Sequence, residues 1–406
     1  MTRESFIQDT ETVRVLDRFD IIVAGGGVAG CAAALAARRH GKRVLLLEKS
    51  LTLGGLATLG LINYFEPLCN GRGRQIMKGM PEEFLRIAVR YGYDTIPDVW
   101  KQGEPCSRGE STDVRYISHY SPQLFALALM EQMTREGVTI QLDCLAVKPV
   151  MNGAVVKGII VETKSGRGYY ETRMVIDVTG DADLLKRAGV PVVDGQNYFT
   201  YISHAITLDS CRRAVELGRI DKAVYWRNGG EATLYGERQP ADRKLYSGIS
   251  ADDVTEYIIE NQLELLSKLR DEDRFTRDIV TLPGMPQFRT TRRIDGDYTL
   301  STDDADKHFD DSIGAICDFD NPDTLYEVPY RCLICSGFPN IITAGRSVSA
   351  KGYAWDVARV IPPAIATGQA AGVAASLAVE SAHDVTRVDV EHLHTVLESD
   401  GVSVHF

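Results

Sequence analysis

A glycine-rich turn between an apolar strand and an alanine-rich helix constrains this chain more than any other feature. Residues 21–34 read IIVAGGGVAGCAAA, which places Gly25, Gly27 and Gly30 at GxGxxG spacing. Phe19 to Ala24 is apolar apart from Asp20 near its start, as in a strand buried on both faces. The helix is predicted to run to about His40, with Gly41 ending it and Arg43 to Leu47 forming a second strand. Such a β-α-β unit belongs in a parallel sheet covered by helices. The first glycine permits the tight turn, the second lets backbone approach a pyrophosphate, and the third lets helix and strand pack closely. At Val28 and Ala29 the helix start offers free N–H groups and a positive dipole end. Glu48, eighteen residues after Gly30, is placed to accept from ribose hydroxyls and to repel a 2′-phosphate, which disfavours NADP; Lys49 adjoins it.

A second stretch completes the crevice. Residues 341–375 read IITAGRSVSAKGYAWDVARVIPPAIATGQAAGVAA, a short strand followed by a helix predicted over 360–380. Gly345 and Arg346 end the strand, and Gly368, Ala370 and Ala371 are small residues that let the helix approach a ring, as tight helix–strand packing also requires. Between the two stretches, strands are predicted at 138–150, 154–163 and 168–178, separated by the turns MNG and KSGRG, an antiparallel meander. The last strand runs into VIDVTGDAD, with Thr179 and Gly180 in the turn. A β-meander before a Thr-Gly turn resembles the glutathione-reductase-like flavoproteins, which implies FAD rather than NAD.

The length of 406 residues allows a second lobe. The expected fold is α/β: a Rossmann-like three-layer FAD-binding domain formed by 17–66, 120–190 and 335–382. An inserted α+β cap covers 67–119 and 191–334, and 383–406 form a helical tail. Forty-five Lys and Arg against 56 Asp and Glu give a net charge of −11, which argues against nucleic acid as a partner. No apolar run reaches a membrane span and the first 16 residues lack a signal-peptide core, so a cytoplasmic, membrane-free protein is expected. The eight cysteines are scattered, and Cys332 and Cys335, a CxxC flanked by apolar residues, are taken as buried structural thiols. No ligand set at metal-binding spacing is found, so no metal is expected.

Over most of its length the chain resembles the bacterial FAD-dependent oxidoreductases related to fumarate reductase and succinate dehydrogenase flavoproteins. The matching segments include AGGGVAGCAAA, LEKSLTLGGLATLG, VIDVTGDADLLKRAGVP, FRTTRRIDGDYTLSTDDAD and AGRSVSA…ARVIPPAIATGQAAG. The resemblance implies that Gly54, Gly55 and Ala57 line the pyrophosphate and isoalloxazine path and that Val147 meets adenine. Two departures matter. No His lies between 41 and 118, where such chains often carry one that bonds to flavin, so noncovalent FAD is expected. Trp355 stands four residues before Arg359, where they carry a His, so succinate and fumarate are disfavoured.

Hydride transfer through flavin N5 needs an acid or base and a substrate anchor. Candidates are Arg359, a charge inside the apolar flavin segment; Arg289 and Arg292, from QFRTTRRIDG; His308; and Tyr353. If 289–293 form a strand, Arg289 and Arg293 share one face and Arg292 the other. Asp177 and Asp183 are turn residues or site residues, and His204 is a further candidate. The expected activity is two-electron dehydrogenation or reduction of a small organic substrate, with a separate electron donor or acceptor and possible oligomers. Alternatives are a monooxygenase or halogenase, or the flavoprotein subunit of a larger redox complex.

Overall fold

The computed structural model describes residues 10–72, 74–96, 117–381 and 383–406. Cys106, and with it 97–116 of the predicted cap segment, lies outside the described residues. The chain opens with β1 (Arg14–Ala24), α1 (Val28–Arg39) and β2 (Val44–Leu47), the predicted β-α-β unit. The ribbon β3 (Tyr64–Phe65) and β4 (Ser118–His119) flanks α2 (Met80–Val89). Then follow α3 (Pro122–Arg135), opened by a Ser121 cap and Pro122, and β5 (Thr139–Gln141), β6 (Leu145–Asn152), β7 (Val155–Thr163) and β8 (Gly166–Asp177).

These strands form one sheet in the order β5-β2-β1-β8-β7-β6. β1 begins five residues before its apolar run because its exposed outer half, Arg14–Arg18, pairs in parallel with the first residues of β8. The stretch 138–150 is two strands, not one. At Asp143 the backbone turns left-handed (φ 50°), so β5 joins β2 in the parallel core while β6 starts the meander. β8 serves both halves: Gly166–Glu171 pairs antiparallel with β7, and Val175–Asp177 pairs parallel with β16 (below).

After β8 come α4 (Asp183–Ala188), β9 (Val192–Asp194), β10 (Thr200–Thr207), α5 (Leu208–Leu217), β11 (Tyr225–Glu231), α6 (Ala251–Leu269), β12 (Arg277–Thr281) and β13 (Arg292–Ile294). A smaller sheet, β11-β10-β12, carries α6 and its own apolar clusters, among them Phe199, Tyr246, Tyr257 and Phe288. The hairpin β14 (Ser312–Cys317) and β15 (Leu325–Pro329) precedes β16 (Ile341–Thr343), α7 (Tyr353–Arg359), α8 (Ile361–Glu380) and α9 (Val390–Ser399).

The main core is built on α1 against α8. A Cβ on Gly368 would stand 2.3 Å from the Ala29 carbonyl oxygen, and one on Gly372 2.3 Å from that of Ala33, so the two backbones touch. α8 is apolar all round because it is buried all round. Among the described residues no single helix is long and apolar enough to cross a membrane; α7 and α8 together reach that length only across a 72° bend. α2, through Phe84, Leu85 and Ile87, and the β14–β15 hairpin, through Ile313, Ile316 and Val328, join this same core. Those parts of 67–119 and 191–334 therefore pack into the main core.

Candidate active site

The carboxyl ends of the parallel strands open onto one cavity of about 780 Å³. Gly25 follows β1, Glu48 follows β2, Val178–Asp181 follow β8, and Ala344–Arg346 follow β16, and all of them line it. That is where doubly wound sheets bind ligands. The smaller sheet and its loops close the far side with Thr200, Ile202, Trp226, Val254 and Phe288.

Gly25 and Gly30 take the turn and packing roles expected of them, and Gly27 stands where the backbone is bare. Gly25 turns at φ 114°, where a Cβ would strike the Val178 carbonyl at 2.3 Å. Gly27 caps α1 and has open space where its Cβ would be, so bare backbone faces the cavity beside Val28 and Ala29. Gly30 stands off the cavity; its Cβ would lie 1.8 Å from the Gly25 oxygen, which makes it the packing glycine. On the β2 side, Glu48 Oε2 accepts from the Gly26 amide at 2.6 Å and Oε1 from that of Ser50 at 2.7 Å. Lys49, Gly54, Gly55, Ala57, Thr179, Gly180, Gly345 and Arg346 all line the cavity. Arg346 also clamps the turn after β8, donating to Gly180 O, Phe288 O and Asp181 Oδ1 at 2.6–2.7 Å.

Several expected cofactor residues stand elsewhere. Gly368 is sealed inside the α1–α8 contact, where close backbone approach demands a small residue, and Ala370 and Ala371 are fully buried; none of the three lines the cavity. Val147 is on β6, outside the lining, and its carbonyl accepts from Arg187 Nη1 at 2.7 Å.

The β16 side of the cavity carries charge. Arg289, Arg359 and Glu66 line it together. Arg289 is not on a strand; its segment is an irregular loop held by Asn197, whose Oδ1 accepts the amides of Arg289 and Thr290. Its Nη1 is buried with no hydrogen-bond partner among the described residues, and burial together with the nearby Arg359 charge brings the guanidinium down to about 10. Arg359 donates from Nε and Nη2 to Asp356 Oδ1 at 2.8 and 2.6 Å. Glu66 follows β3; its Oε2 accepts the Ile361 amide at 3.3 Å, and burial pushes the carboxyl up to about 7. That amide is the first of α8, and Pro362 and Pro363 remove the next two donors, so the helix start directs one N–H at this carboxyl.

The remaining catalytic candidates are not brought here. Arg292 is on β13, pointing at Asp194 (2.9 Å) and Asp183 (3.8 Å), a structural ion-pair position. Arg293 Nη1 donates to Ile294 O and Ser349 Oγ. His308 is exposed beside Glu327, outside the cavity. Tyr353 donates to Asp318 Oδ1 at 2.7 Å and stacks on Tyr235, off the lining. Trp355 donates to Arg346 O, and His204 is buried on β10; neither lines the cavity. Asp177 is a turn residue, accepting from Thr179 N, Thr179 Oγ1 and Leu185 N. Cys332 and Cys335 are free, and burial raises both thiols.

Sequence reasoning missed Glu66. It is a lone carboxylate within LINYFEPLC, the same kind of buried-charge signal that singled out Arg359.

The architecture is mixed α/β, a parallel Rossmann-like sheet with antiparallel sheets, the fold of FAD-dependent oxidoreductases. Similar solved structures include a geranylgeranyl bacteriochlorophyll reductase-like protein from Thermoplasma acidophilum (13% identity, 94% of this chain and 84% of that one, TM-score 0.48). Mycobacterium smegmatis Sdh1 is another (12%, 95% and 73%, 0.45). In sequence, 52 residues are 52% identical to a vinyl phenol reductase of Lactiplantibacillus plantarum, over 13% of this chain and 10% of that protein. The family model for FAD dependent oxidoreductases matches residues 20–247 and 255–397, nearly the whole chain. The family implies FAD, and the bare Gly27 backbone at the α1 start, the Glu48 carboxylate and the size of the cavity fit it. The protein belongs to the FAD-dependent oxidoreductase family.

Proposed function

We propose that this oxidoreductase holds FAD noncovalently and oxidises or reduces a small organic substrate carrying an anionic group. The observation that carries this is Arg289 Nη1, buried at the cavity with no hydrogen-bond acceptor among the described residues. A buried, unmatched cation is costly unless a ligand meets it. Bound FAD supplies two-electron exchange with the substrate at its N5.

The protein's share is positioning and proton transfer. Arg289 Nη1 binds the anionic group, and Arg359, fixed by Asp356, adds charge without being free to swing. Glu66 Oε2 is held by the Ile361 amide, so Oε1 carries the exchangeable proton, with a pKa of about 7 suited to either direction near neutrality. Leu59, Ile62, Trp226 and Phe288 keep water out.

The lining contains no His or Cys among the described residues, which supports noncovalent attachment. The motifs that resemble fumarate reductase-type flavoproteins support a dehydrogenase or reductase reading. The short stretch shared with a vinyl phenol reductase favours the reductive direction.

The test is a titration of oxidised holoenzyme with simple carboxylates and phenolates, read by flavin absorption. A saturable spectral shift, lost in Arg289→Met, is expected. A wild-type flavin indifferent to every anion, yet reducible by neutral donors, would overturn the anionic reading.

A further inference from the structure

We propose that His308, Glu327 and His405 form a binding site for a divalent transition metal of the zinc class. The three residues come from separate places: a loop before β14, the middle of β15, and the segment after α9. Their ligand atoms all lie within 4.8 Å of one another. Glu327 is 1% exposed, and its Oε2 is 3.3 Å from His308 Nδ1 and 3.1 Å from His405 Nδ1. Zinc bonds of roughly 2.0–2.2 Å in a tetrahedron put ligand atoms about 3.3–3.5 Å apart. The two measured separations are close to edges of that tetrahedron.

The hydrogen bonding agrees with this. The Phe309 amide donates to Glu327 Oε2 at 2.7 Å and occupies one side of the oxygen. His405 Nδ1 is buried with no hydrogen bond among the described residues although it lies 3.1 Å from that oxygen, so direct pairing does not satisfy the ring. On the other side of His308, Nε2 is 3.4 Å from Asp310 Oδ1, the carboxylate support that metal-binding imidazoles commonly carry. His308 is exposed, which leaves the fourth position to water. A metal here would clasp the segment after α9 onto the β14–β15 hairpin, where Ser403 O and Val404 O already accept from Ala315 N and Ser312 Oγ. The site is remote from the cavity and does not rest on the proposed substrate.

The experiment is calorimetric titration of zinc chloride into chelator-washed, FAD-loaded protein near pH 7.5. One equivalent should bind, and His308→Ala and His405→Ala should each weaken it by at least about tenfold while FAD absorbance stays unchanged. Because Glu327→Gln removes a buried carboxylate and can disturb folding, the two histidine variants carry the test. No binding to the wild-type protein, or unchanged stoichiometry and affinity in the double histidine variant, overturns the site.

Discussion

Replacing Arg289 by Met should stabilise the protein while lowering its activity on an anionic substrate. Burial brings this guanidinium well below its ordinary value, down to about 10, so the folded state disfavours its charged form. At about 1.36 kcal/mol per pH unit, that is an upper bound of about 3 kcal/mol. The sign follows from the direction. The folded pKa lies below the unfolded one, so the cost is fully present at neutral pH and fades only above about 10. Methionine keeps most of the packing without the charge. Unfolding entropy of about 2.1 cal/mol/K per residue over 406 residues gives roughly 1.2 °C per kcal/mol, so Tm should rise by at most about 4 °C. In the same variant kcat/KM for an anionic substrate should fall about 10- to 100-fold, as expected for a lost charge-assisted contact. Thermal unfolding of both holoenzymes at pH 7.5, with parallel kinetics, is the assay. A Tm drop of the size produced by breaking a buried ion pair, about 3–5 kcal/mol, would refute the reasoning, because Arg289 would then have a structural partner.

Two further outcomes follow from the packing and titration. Glu66 has a folded pKa raised from 4.5 to about 7, so its contribution is present below 4.5 and is lost as pH rises through 7; Glu66→Gln should therefore match wild type at pH 4.5 and exceed it at pH 8. Equal pH dependence of Tm in the two proteins would sink that assignment. Gly368→Ala should cost about 1–3 kcal/mol as overpacking, since its Cβ would meet the Ala29 carbonyl at 2.3 Å; a variant as stable as wild type but altered in flavin absorption would return Gly368 to the ring.

What was legible in the sequence was backbone geometry. Gly25 and Gly30 act as their spacing implied, because tight turns and close approach depend on local residues alone. Small residues on α8 were ambiguous by nature: Gly368, Ala370 and Ala371 suit a ring or close packing equally, and only the tertiary fold shows α1 against Gly368 and all three off the cavity. Arg289 and Arg293, which a continuous strand would set on one face, are separated by a detail no periodicity carries, the Asn197 side chain holding 289–290 off the strand. Glu66 was visible as a charge in an apolar run but unremarked, and Tyr353 was drawn away by Asp318. His308, Glu327 and His405 meet only through the hairpin and the chain after α9, so no spacing rule could have grouped them.

The central claim is that this cavity holds FAD without a covalent bond. Purified protein, reconstituted with FAD, desalted and then precipitated with acid, tests it most directly. The account predicts one FAD per chain before acid and all of it in the supernatant afterwards. No flavin retained after reconstitution would contradict the cofactor assignment, and flavin that stays with the precipitate would contradict its noncovalent hold.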